Sequence, residues 1–291
     1  MDLCNISVIR ELMGDAGITF RKDFGQNFLI NPKIPSDIAD AAAHSPDTLV
    51  LEIGPGVGCL TQELAKRYKR VVAVEIDKGL IPILDKTLSE FDNVTVINDD
   101  IMKVDLPALV EKYACGMPVS VCANLPYYIT TPILMRLLES GVRFEAVTVM
   151  VQNEVASRLC ASAGSDDYGA ISAVIAYFGE AKRLFRVNRG CFMPAPKVDS
   201  AVVRISLYRE PKYTPRDERL FRNLIKFAFE MRRKTLYNAL RAKLSLDNET
   251  LKEAIVSLGY GESVRGERLS VSDFVALSDR IYTDLEKNSK T

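Results

Sequence analysis

Between residues 49 and 207 the chain alternates short apolar runs rich in β-branched residues with stretches of helical period, and this alternation limits the possible folds most. The runs fall at 49–53, 71–75, 94–98, 119–123, 146–151, 182–187 and 201–207. Helical stretches lie between the early ones, near 59–69, 78–91, 105–114, 131–140, 152–162 and 169–179. Strands this apolar are buried on both faces, and helical connections return each one parallel to the last. The pattern therefore predicts an α/β fold, a mostly parallel sheet covered by helices on both sides. The last two runs have no full helix between them, so one is expected to be antiparallel.

The flanks differ in texture. Residues 5–16 and 33–43 read as helices ahead of the sheet. Beyond 207, Tyr208-Arg-Glu-Pro-Lys-Tyr-Thr-Pro215 is a charged, Pro-containing linker. Helices are predicted from there to the end, over 216–230, 232–243, 247–258 and 270–286, the last capped by Ser270 or Ser272. A length of 291 residues suits one large domain and one small one. The expected division is 1–210 and 211–291, the second all-α.

Composition narrows the function classes. No apolar run has the length of a membrane span, and the N-terminus lacks a basic region followed by an apolar core, so a cytoplasmic chain with no membrane partner is expected. Six cysteines without a Cys-x-x-Cys pair read as free thiols. A single histidine, His44, rules out a multi-His metal site and argues against a Ser-His-Asp triad, and no metal is expected. Net charge is zero, but residues 180–243 hold 17 Lys/Arg and 6 Asp/Glu, a net of +11. A basic segment in a neutral chain is the footprint of a polyanion binder, although solvated helix faces would give the same count.

Successive strand ends carry the candidate chemistry. The first strand runs into Gly54-Pro-Gly56-Val-Gly58, a turn that lets backbone approach a ligand and opens a helix. Glu75 follows Gly54 by 21 residues and ends the second strand, where an acid can bind the hydroxyls of a ribose. The spacing is Gly-x-Gly-x-Gly, and Pro55 removes a backbone N–H that a pyrophosphate would use. That combination favours an adenosine with a different tail, S-adenosylmethionine, over a nicotinamide dinucleotide. The third strand ends at Asp99 and Asp100. Asp100 is placed either to accept a hydrogen bond from the cofactor's adenine amine or to cap the next segment. The fourth delivers Asn124-Leu-Pro-Tyr127, either a plain strand-to-turn junction or a site for a flat base with an exocyclic amine. In the second case the carboxamide and a backbone carbonyl accept the amine's hydrogens and the ring stacks on the base.

Taken with Phe24-Gly-Gln-Asn-Phe-Leu29, Phe192-Met-Pro-Ala-Pro-Lys-Val-Asp-Ser200, Gln152-Asn-Glu-Val-Ala-Ser-Arg158, Met231-Arg-Arg-Lys-Thr-Leu and Gly266-Glu-Arg-Leu-Ser-Val, these motifs resemble the ribosomal RNA adenine dimethyltransferase family. The resemblance covers about residues 20 to 280 and is strongest to the family's small-subunit branch. Where many members read Asn after the motif tyrosine, this chain has Tyr128, a tolerated variant. The resemblance implies a class I, Rossmann-like methyltransferase fold with a seven-stranded, mostly parallel sheet and a small helical RNA-binding domain. It implies that S-adenosyl-L-methionine is held by Asn27, Leu29, Gly54, Gly56, Glu75, Asp100 and Asn124. The target base would be held by Asn124, Leu125, Pro126, Tyr127 and, as a second aromatic, Phe192. The implied substrate is two adjacent adenosines of 16S rRNA in an immature small ribosomal subunit, approached by a monomer. Three other readings share part of the pattern: a resistance methyltransferase acting on large-subunit rRNA, a non-catalytic RNA-binding factor on the same fold, and a nicotinamide dehydrogenase.

Overall fold

The computed structural model describes residues 1–18, 27–231, 233–244 and 246–288. In chain order the first half contains α1 (Ile6–Asp15), β1 (Phe28–Leu29), α2 (Lys33–Asp40), β2 (Leu49–Ile53), α3 (Cys59–Arg67), β3 (Arg70–Glu75), α4 (Ile81–Thr87), β4 (Val94–Asn98), α5 (Leu106–Ala114), β5 (Val119–Asn124) and α6 (Thr130–Leu138). The second half contains β6 (Phe144–Gln152), α7 (Asn153–Leu159), α8 (Ala170–Phe178), β7 (Gly179–Val187), β8 (Phe192–Met193), β9 (Ser200–Leu207), α9 (Glu218–Glu230), α10 (Leu236–Leu240), α11 (Asn248–Val256) and α12 (Val271–Asn288).

Seven strands form one sheet in the order β4-β3-β2-β5-β6-β9-β7. The pairs β2–β3, β3–β4, β2–β5 and β5–β6 are parallel, and β6–β9 is antiparallel. The parallel strands β2 and β3 are buried along nearly their whole length, which is why their sequences show no polar alternation. Strand order steps outward from β2 to β3 and β4, then reverses through β5 and β6. The carboxyl ends of β2 and β5 therefore flank the switch point of the sheet, where open α/β folds bind ligands.

A second, two-stranded sheet was not legible in the sequence. Leu29 pairs antiparallel with Phe192 and Phe28 with Met193, and the Ile30 N–H donates to the Cys191 carbonyl at 2.9 Å. Two-residue strands have no period to detect. This pairing joins two motifs that lie more than 160 residues apart in the chain.

The chain divides into two compact units, one of residues 1–156 with 181–209, the other of residues 157–180 with 210–291. The second unit gathers α8 together with α9, α10, α11 and α12. In it Tyr168 meets Phe229 edge-on, with ring centroids 5.7 Å apart, and Phe229 packs on the fully buried Phe274. Ser270 caps α12, its hydroxyl accepting the Asp273 N–H at 3.2 Å. Among the described residues no helix is long and apolar enough to cross a membrane.

Candidate active site

The turn after β2 needs its glycines. Gly54, Gly56 and Gly58 have φ of 68°, 63° and 93°, in the left-handed region where a Cβ is disfavoured. The Gly54 N–H donates to the Val74 carbonyl at 2.9 Å, fastening the turn to the end of β3. A Cβ on Gly56 would lie 3.2 Å from a ring carbon of Phe28, so the motif around Phe28 packs directly on this turn.

Two carboxyl groups stand behind it. Glu75 accepts the Asp77 N–H at 2.8 Å through one oxygen and the Gly56 N–H at 3.2 Å through the other. Its pKa is raised because burial opposes ionisation, while those backbone N–H groups hold it down. Glu52 is 1% exposed, and burial, with the neighbouring Glu75 charge, pushes its pKa up to about 8. Its Oε2 has no hydrogen-bond partner among the described residues. A buried carboxyl oxygen left open beside a cleft is satisfied by a hydroxyl-bearing ligand.

At the end of β5, Asn124 Nδ2 donates to the Asn27 carbonyl at 3.3 Å, which leaves the carboxamide oxygen to accept from another group. The Leu125 N–H donates to Met150 O at 3.2 Å. The Pro126 carbonyl already accepts two hydrogen bonds, from the Ile129 N–H and the Thr130 hydroxyl, each at 3.2 Å. The Tyr127 hydroxyl lies 2.6 Å from Ser200 Oγ, and burial raises its pKa.

These groups share one open cleft of about 860 Å³. Of the residues expected from the sequence, Asn27, Leu29, Gly54, Gly56, Glu75, Asn124, Leu125, Pro126 and Tyr127 all line it. Phe24 and Gln26 lie outside the described residues. Two expected residues do not line it. Phe192 is 2% exposed and packs in the core with Leu29, Cys122 and Val202, because pairing with Leu29 turns its ring into the sheet side. It pairs with Leu29, which itself lines the cleft, so its expected place as a second aromatic for the base stays a proposal. Asp100 closes the turn after β4, its Oδ1 accepting the Met102 N–H at 2.9 Å, which leaves Oδ2 outside that bond.

The lining residues to which the sequence reading gave no place in the site include Glu52, Ile76, Tyr128, Leu60 and Leu80. An acid inside the apolar run 49–53 was the available signal for Glu52, since buried acids need a partner or a purpose. Ile76 is 51% exposed between two acids, an apolar face in a polar rim.

Residues 17–281 match the family described as ribosomal RNA adenine dimethylase. The protein is 47% identical over 274 residues to the ribosomal RNA small subunit methyltransferase A of Lachnoclostridium phytofermentans, covering 93% of this chain and 94% of that one. Likewise it is 44% identical over 285 residues to the enzyme of that name from Streptococcus pneumoniae, covering 97% and 98%. Among solved structures it is similar to a dimethyladenosine transferase from Plasmodium falciparum, with TM-score 0.72, 26% identity and coverage of 90% and 98%. It is also similar to the 23S rRNA methyltransferase ErmE, with TM-score 0.67, 28% identity and coverage of 88% and 100%. The sheet order, with β9 antiparallel to β6, agrees with the class I methyltransferase fold expected from the sequence. A chain matched over this span, with the family's glycine turn and Asn-Leu-Pro-Tyr motif on one cleft, belongs to the ribosomal RNA adenine dimethylase family.

Proposed function

We propose that the protein transfers methyl groups from S-adenosyl-L-methionine to the exocyclic amine of adjacent adenosines in 16S rRNA of the immature small subunit. The observation that carries this reading is the meeting of a ribose-type acid and an amine-holding motif on one cleft at the sheet's switch point. The match to relatives named for the small subunit favours that substrate over the large subunit.

The residues present fit the cofactor. Glu75, fixed by two backbone N–H groups, offers its remaining lone pairs to the ribose diol. Gly54 and Gly56 admit the close approach of the tail, and Asn27 and Leu29 border the methionine end. Ile76 offers an apolar face to adenine, and Asp100, whose Oδ2 takes no part in its own turn, accepts from the adenine amine. The open Oε2 of Glu52, on a carboxyl that burial keeps neutral, stands ready for a hydroxyl group. When bound, S-adenosylmethionine supplies an electrophilic methyl group.

The chain itself supplies position. An adenine amine is a poor nucleophile because its lone pair is delocalised into the ring. The Asn124 oxygen and a backbone carbonyl accept its two N–H bonds and stabilise the positive charge that grows on nitrogen. Because the Pro126 carbonyl is occupied, the Leu125 carbonyl takes the second bond. Tyr127 stacks on the base, and orientation contributes most of the rate gain. After alkylation the amine proton is acidic and leaves to water, so no dedicated base is required. Residues 1–210 carry this chemistry, while the basic 180–243 segment and the helices of 211–291 grip phosphates. The protein acts as a cytoplasmic monomer.

The test is methyl transfer from labelled S-adenosylmethionine to undermethylated small and large subunits, with nucleoside mass spectrometry. Dimethyladenosine on the small subunit alone, lost in Asn124→Ala, is expected. Product on the large subunit moves the protein to the other branch of this chemistry, and no product on either leaves an RNA-binding factor.

A further inference from the structure

We propose that Tyr128 is a stacking platform for the RNA base that flanks the target adenine, so that it sets how the substrate strand enters the cleft. The inference rests on the methyl-transfer reading above.

Tyr128 lines the same cleft as Asn124 and Tyr127, yet it is 64% exposed. Its neighbours are fixed: Leu125 is 1% exposed, and the Tyr127 hydroxyl is tied to Ser200. Tyr128 itself has no ring, cation or hydrogen-bond partner among the described residues. A large amphipathic ring left in water at a cleft mouth gains from being covered, and nucleic-acid bases cover aromatic rings without regard to sequence.

The backbone beneath the ring is well held. The Pro126 carbonyl accepts from both the Ile129 N–H and the Thr130 hydroxyl, closing a turn around residues 127 and 128 directly before α6. A ring on a rigid turn loses little entropy when a base settles on it. The position in the chain decides which base. Tyr127 points into the cleft beside Asn124, where the target amine is held. Tyr128, one residue on and largely exposed, lies on the rim, where the strand leaves the target nucleotide. Phe192 is buried in the core, so it cannot serve this purpose at the mouth.

The role is one of substrate positioning, and a structural role would not give the same pattern. Kinetics are measured on undermethylated small subunits with wild type, Tyr128→Phe and Tyr128→Leu, together with calorimetric binding of S-adenosylmethionine. Tyr128→Leu is expected to lower kcat/KM for the subunit about tenfold, chiefly through KM, the scale of one base stack. Tyr128→Phe, which keeps the ring, retains most of it, and cofactor affinity is unchanged in both. If Leu performs as well as Phe, or if cofactor affinity falls in step with activity, the platform is overturned while the methyltransferase reading stands. If wild type transfers no methyl group at all, both fall.

Discussion

The hydroxyls of Tyr127 and Ser200 lie 2.6 Å apart, and this hydrogen bond ties the turn after β5 to the first residue of β9. Ser200 is fully buried in the sheet, so it is a rigid anchor for a ring that must meet a base squarely. Removing either hydroxyl removes the same hydrogen bond. Ser200→Ala and Tyr127→Phe are each expected to slow single-turnover methyl transfer about fivefold, the worth of roughly 1 kcal/mol for one such bond. The double variant should be no slower than either single one. Multiplying losses would show that the two hydroxyls act separately.

Glu52 makes folding depend on pH. An unfolded glutamate ionises near 4.5, whereas in the folded chain burial holds this carboxyl neutral up to about pH 8. A group whose folded pKa is raised contributes stability that is fully present below the unfolded value and is lost as pH rises through the folded one. Between about pH 4.5 and 8 folding therefore takes up a proton at Glu52, and stability from this group falls by up to about 1.4 kcal/mol per pH unit. Glu52→Gln cannot ionise. In urea melts of the cofactor-free protein it should gain on wild type as pH is raised from about 6 to about 8. A constant difference between the two across that range would place the pH dependence elsewhere.

What could be read from the sequence followed the strength of the periodic signals. The seven sheet strands were legible because buried strands leave apolar runs, as was an antiparallel member among the last two, and the glycine turn because its spacing is tied to a backbone geometry. Residues such as Gly54, Glu75 and Asn124 converge because parallel strands all end on one edge of the sheet, which a strand pattern already implies. The pairing of Phe192 with Leu29, which sets its surroundings, was not legible because a two-residue strand shows no period. Asp100 was balanced between two roles, and the 2.9 Å bond from the Met102 N–H shows the turn-closing one, through one oxygen of its carboxylate. Glu52 and Ile76 were passed over because a strand pattern reports burial and says nothing of which wall faces a cleft.

The glycine turn offers a graded test of close packing. Gly54 and Gly56 both have positive φ, so either alanine variant is strained. A Cβ added at Gly54 would meet no atom within 4 Å, whereas at Gly56 it would meet the Phe28 ring at 3.2 Å, and the Gly56 N–H also holds Glu75. Gly56→Ala is therefore expected to weaken S-adenosylmethionine binding more than Gly54→Ala does, with a larger fall in melting temperature. Calorimetry and thermal melts on the two variants check the order. Equal effects would mean that backbone strain alone, without the clash on Phe28, sets the loss.

Lys182, Arg183 and Arg186 are exposed on β7, the edge strand of the sheet, and Arg189 and Lys197 are exposed on the turns that follow. Asp199 pairs with Arg186 at 2.8 Å and also accepts the Arg189 backbone N–H at 2.9 Å, so one acid faces several cations. An exposed ion pair of this kind is worth little and yields readily to a phosphate. Each cation that neutralises a phosphate releases condensed counterions, so affinity falls steeply with salt. For wild type, a plot of log affinity for undermethylated small subunits against log salt should slope strongly downward. Replacing Lys182 and Arg189 by Gln should flatten that slope by about 0.7 to 0.9 for each phosphate no longer neutralised, while cofactor affinity stays at the wild-type value. A slope unchanged by the double substitution would place the phosphate grip elsewhere, on the cations of the helical unit such as Arg219 and Lys226.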